Sequence, residues 1–146
     1  MFTKILVPVD IDYPKTAATV YRKAAEIAGQ SAAEIRLVGV MPGFGMPIVA
    51  SFISDETRKE ILNRMKESLK AFKKEHCDES VTYEVRTGKN WEEIIKSADK
   101  WNADLIVVYY DRRRDQDINE VHSSACARRV SENANCSVLW LRKIQS

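Results

Sequence analysis

The chain has few of the residues from which many sites are assembled: 146 residues include three cysteines, two histidines and five glycines. Cys77, Cys126 and Cys136 have no C-x-x-C spacing. That excludes a zinc motif and a disulfide framework and leaves buried or half-buried thiols in a reducing compartment. His76 beside Cys77 does not make a coordination shell, so no metal is expected. His122 beside Ser123 and Ser124 lacks the G-x-S-x-G elbow, so no catalytic residue is assigned. There is no run of about 18 apolar residues and no signal-peptide pattern, so the expectation is a cytoplasmic protein with no membrane partner. Charge of one sign is lacking too: 23 basic against 21 acidic residues leave a net +2 and no global reason to expect nucleic acid.

An apolar share of 45% with 30% charged residues is the balance of a globular protein, and the length suits one domain over residues 1–146. Lys4 to Asp10 is a nearly continuous apolar run that predicts a strand covered on both faces, with Pro8 a weakly paired spot near its end. Asp12-Tyr13-Pro14 offers a helix cap with proline near the first turn, and from Lys15 to Ala28 the residues Ala17, Ala18, Tyr21, Ala24, Ala25 and Ala28 recur at helical spacing, with Gly29 as the stop. Glu34 to Met41 predicts a second strand. A Gly- and Pro-rich loop follows whose Phe44, Met46, Ile48, Val49 and Phe52 should pack down on the fold.

Ser54 or Asp55 caps a second helix striped by Ile61, Leu62, Met65, Leu69 and Phe72. Val81 to Arg86 alternates with period two, as an edge strand does, and Gly88 breaks it. The third helix begins at Trp91 and buries Ile94, Ile95, Ala98 and Trp101. Ala103 to Val108 is a buried strand that empties into a charged loop, Tyr109 to Arg114. Ser123 or Ser124 caps a fourth helix to about Asn133, and Ser137 to Arg142 closes the chain as a strand.

Five strands alternating with four helices predict an α/β three-layer sandwich with a mostly parallel sheet and helices on both faces. Ligands of such sheets gather at the carboxyl ends of strands, so function is sought first just after Val108. Arg112-Arg113-Arg114, with Arg128-Arg129, could grip phosphate through guanidinium forks, or be neutralised in a solvated loop by Asp111, Asp115, Asp117 and Glu120.

Lys4-Ile5-Leu6-Val7-Pro8-Val9-Asp10, the alanine-rich first helix and Leu37-Val38-Gly39-Val40-Met41-Pro42 are followed by Thr87-Gly88-Lys89-Asn90-Trp91-Glu92-Glu93-Ile94-Ile95 and the Ala103 to Val108 strand. With the closing Asn135 to Arg142, this series resembles the universal stress protein family over essentially the whole chain. The resemblance implies sheet order 3-2-1-4-5, a stress-response role, and a homodimer joined through Val138, Leu139, Trp140 and Leu141.

Many members bind ATP through a pattern of Gly, two residues, Gly, nine residues, Gly and Ser or Thr. Here Tyr109 and Arg112 stand at the first two glycines, and the third falls at His122 before Ser123 or at Ser124. All three glycines are absent, so backbone N–H groups cannot cradle phosphate as closely. The chain is thus closer to the members without the pattern, which do not bind ATP. The resemblance still places Asp10 at an adenosine and the Val40 backbone at an adenine, with Tyr109, Arg112, Ser123 and Ser124 completing a nucleotide pocket. Two readings follow: a non-enzymatic regulatory or protective homodimer with no cofactor, or a module for ATP or another adenine nucleotide, with slow hydrolysis, that uses arginines in place of the glycines.

Overall fold

The computed structural model describes residues 2–29, 31–42, 54–112 and 120–142. The loop residues Phe44, Met46, Ile48, Val49 and Phe52, and the charged Arg113, Arg114, Asp115 and Asp117, lie outside that set. The element order is β1 (Lys4–Pro8), α1 (Pro14–Gly29), β2 (Glu34–Pro42), α2 (Asp55–His76), β3 (Thr82–Gly88), α3 (Asn90–Trp101), β4 (Leu105–Tyr110), α4 (Ser124–Asn133) and β5 (Ser137–Arg142). They form one sheet in the order β3-β2-β1-β4-β5, and all four pairings are parallel. Pro8 closes β1 in register with Val38, and the Val9 N–H carries the ladder on by donating to the Val38 carbonyl at 3.0 Å.

Alternation along the strands divides the core. Ile5, Val7 and Val9 face α1 and α2, with Leu37 and Val107 beside them. Leu6, Val38, Val40, Ile106 and Val108 face α3 and α4. Side chains such as Ile5, Leu6 and Ile106 are fully enclosed, and each contributes about 1.5–3 kcal/mol of burial. The alanines of α1 bring that helix close to the sheet, and its Tyr21 hydroxyl accepts the Asp78 N–H at 3.1 Å. Both serine caps form: Ser54 accepts from Thr57 N–H and Ser123 from Cys126 N–H, each at 3.1 Å.

Three expectations need correction. β4 runs on through Tyr109 and Tyr110, two residues beyond the expected end at Val108. Pro14 stands in the first turn of α1 as expected, but Asp12 does not cap that helix: it lies in the turn before it, where its N–H donates to Asp10 Oδ1. On α3, Ile95 and Trp101 are only half-buried, while Glu93 and Ser97 take places on the buried face. The reason is a partner on β3: Arg86 Nε donates to Glu93 Oε1 at 3.0 Å and its Nη1 to Glu84 Oε1 at 2.6 Å, while Ser97 Oγ donates to Glu84 Oε2 at 2.9 Å. A carboxylate so held can be buried where a lone one could not.

Cation–ring contacts mark the surface. The Arg36 guanidinium lies 4.7 Å from the Trp101 ring, Arg129 lies 5.8 Å from Trp91, and Arg142 lies 5.8 Å from Trp140. No described helix is long and apolar enough to cross a membrane.

Candidate functional site

In a 3-2-1-4-5 sheet the chain reverses direction of travel beside β1, and the carboxyl ends there leave a crevice. A cavity of about 310 Å³ occupies this end of the sheet. Val9 and Asp10 line it from the end of β1, and Val40, Met41 and Pro42 from the end of β2. Ile61, Arg64, Met65 and Ser68 form its roof. They fall at i, i+3, i+4 and i+7 on α2, one stripe of that helix. Gly39 lets the roof sit close: a Cβ there would stand 3.0 Å from Met65 Cε, so the thioether would have to give by a few tenths of an ångström.

Glu120 and Val121 close the cavity from the segment before α4. That segment is tied to the end of β4 by the Asp111 N–H, which donates to the His122 carbonyl at 3.0 Å. Asn90 Nδ2, at the start of α3, donates to the Glu120 carbonyl at 3.4 Å. Glu120 Oε1 accepts the His122 N–H at 3.1 Å and lies 3.4 Å from Nδ1 of the same residue. Asp111, Glu120, His122 and Ser123 are all buried.

Electrostatically the lining is lopsided. Among the described residues it carries three carboxylates, Asp10, Asp12 and Glu120, against one cation, Arg64. Repulsion from Asp10, followed by burial, raises the Asp12 carboxyl above its ordinary value. Burial pushes the Cys126 thiol up to about 12, and the Glu120 carboxylate adds to the rise. Cys126 therefore stays protonated at neutral pH and is no nucleophile. Cys77, pushed up to about 11 by burial, and Cys136, also raised, are free thiols of the same inert kind. Among the described residues no hydrogen bond joins Ser68 to a base, and no group of three or more His, Cys, Asp or Glu could hold a metal.

Of the sequence-predicted residues, Asp10 and Val40 come together on the cavity wall. Tyr109 points elsewhere: it is a buried strand residue whose ring meets His122 edge-on at 5.8 Å. Arg112 is exposed and does not line the cavity. Ser123 is fully enclosed as the α4 cap, and Ser124 begins the helix, half-buried. Asp12, Arg64, Met65, Ser68 and Glu120 are the lining residues that sequence reasoning missed as a site. The half-filled apolar stripe around Ile61 and Met65 was the available signal.

Residues 1–142 match the family model of the universal stress protein family. The chain belongs to the universal stress protein family. Solved structures share the fold. Hypothetical protein MJ0577, the subject of a structure-based functional assignment, is 22% identical with a TM-score of 0.74, the match covering 100% of this chain and 99% of that one. A universal stress protein in complex with cAMP is 17% identical with a TM-score of 0.59, covering 96% of each chain. The universal stress protein from Archaeoglobus fulgidus in complex with dAMP is 23% identical with a TM-score of 0.60, covering 94% of this chain and 96% of that one. No curated protein matches the sequence. At these identities the structural likeness is one of fold.

Proposed function

We propose that this universal stress protein is a non-enzymatic regulatory or protective protein of the cytoplasm, acting as a homodimer joined through β5 and holding an adenine compound in the cavity at Asp10 and Val40. The observation that carries the reading is that cavity, formed where β1 and β2 end and roofed by α2. Two structural neighbours in complex with cAMP and dAMP support the adenine class. The absence of an activated nucleophile among the described lining supports binding over turnover. The alternative, a phosphate clamp of arginines, draws no support from Arg112, which is exposed and off the wall.

Calorimetric titration with adenine compounds tests the reading. A saturable heat that Asp10→Ala abolishes, with no phosphate released from ATP on long incubation, is the expected result. Silence from every adenine compound at millimolar concentration would remove the ligand, and steady phosphate release would remove the non-enzymatic role.

A further inference from the structure

We infer that the cavity selects an adenine compound without phosphate, a nucleoside over its nucleotides. This rests on the reading that an adenine compound binds there, and it specifies which one.

The wall supplies an apolar body, with Val9, Val40, Met41, Met65 and Val121 among its described residues. Its charge is the discriminating feature. Asp10 and Asp12 stand at the β1 end, close enough for the first to hold a proton on the second more firmly. Glu120 lines the cavity from the segment tied to the end of β4, its side chain 2% exposed and its Oε1 fixed against His122. A carboxylate fixed in place cannot swing away to make room for a phosphate. Arg64 is the single described cation of the lining; it is exposed on α2 as Asp12 is exposed at the β1 end, so water weakens the pull of the one as it weakens the push of the other, and the less exposed Asp10 and Glu120 remain in excess.

Hydroxyl and amino groups donate hydrogen bonds, and carboxylates only accept them, so a sugar or an exocyclic amine suits this wall. A phosphate offers no donor to it and brings a like charge. Each such charge, held a few ångströms from carboxylates in a half-enclosed site, weakens binding on the order of tenfold. The volume agrees: about 310 Å³ lies at the small end of ligand pockets, which run from roughly 300 to 1,000 Å³.

The experiment is calorimetry on the full chain with adenosine, AMP and ATP, each at low and high salt. Adenosine should bind at least about tenfold tighter than AMP, with ATP no better than AMP. Salt should strengthen AMP binding, because it screens repulsion, where a cationic clamp would be weakened. Asp12→Asn, at an exposed position, should narrow the adenosine-to-AMP ratio about threefold. AMP or ATP binding as tightly as adenosine, with affinity falling as salt rises, overturns the inference and leaves the adenine reading standing. A ratio unmoved by Asp12→Asn overturns its electrostatic cause. No binding by any of the three overturns both.

Discussion

Glu120 holds His122 twice over, accepting its backbone N–H at 3.1 Å and lying 3.4 Å from its Nδ1, with both side chains enclosed. The pairing seals the segment between the end of β4 and α4 against the cavity. Glu120→Ala would leave a buried donor without its acceptor, which costs about 1–3 kcal/mol. Glu120→Gln keeps a carbonyl oxygen in place and should cost less than half as much. Urea unfolding of the two variants measures the difference, and equal midpoints would show that the carboxylate does not hold the segment.

Gly88 and Gly39 predict an order of tolerance. Gly88 sits at φ +147°, where a Cβ would stand 2.9 Å from Glu93 Cγ and Oε2, so Gly88→Ala meets both strain and the Arg86 ion pair. A loss of about 1–3 kcal/mol is expected. Gly39→Ala meets only the flexible end of Met65 and should cost under about 1 kcal/mol. Denaturation midpoints in the reverse order would contradict this assignment.

Asp104 and Asp12 predict opposite pH behaviour. Burial pushes the Asp104 carboxyl up, but the N–H donors of Lys4 and Thr3 and the Thr3 hydroxyl outweigh it, and the net shift is downward. Its stabilisation is therefore present above the ordinary carboxylate value of about 3.9 and is lost as pH falls through the lower folded value. Asp12, raised by Asp10 and then by burial, destabilises the fold above its raised value and ceases to do so once protonated. Asp104→Asn should lower the melting temperature at pH 7 and Asp12→Asn should raise it, both differences shrinking as the medium is acidified toward pH 2. Melting curves across that range check both signs.

The β5 edge predicts the assembly. Val138 to Leu141 are all half-buried within one chain, on a strand paired on one side by β4 alone. Leu141→Asp should give folded monomers in analytical ultracentrifugation, with the far-ultraviolet circular dichroism spectrum retained. A variant of unchanged dimeric mass would place the interface on another surface, and a monomeric wild-type chain would remove the dimer altogether.

The fold was largely legible because its signals are local. Strand runs, the alanine face of α1 and the Ser54 and Ser123 caps each depend on residues a few positions apart. What escaped depends on distant partners. Glu93 reads as a surface residue until Arg86 and the turn at Gly88 bring it to a guanidinium. Tyr109 reads as a loop residue because charge follows closely, whereas His122, on the far side of the charged segment, packs against its ring and keeps it inside. At the site, Asp10 and Val40 came from a family pattern. Arg64, Ser68 and Glu120 belong to the same wall only because α2 lies across the strand ends, which no spacing along the chain reveals.

The three tryptophans stand at three separate places in the fold. Trp101 lies beside Arg36 of β2 and the Lys4 ammonium of β1, Trp91 beside Arg129 where α3 meets α4, and Trp140 beside Arg142 on the outer strand. None lines the cavity. Intrinsic emission will thus be nearly blind to a small molecule entering between α2 and the sheet, yet Trp140 will register anything that covers β5. A dilution series of the ligand-free chain followed by fluorescence reads association of two chains without a label.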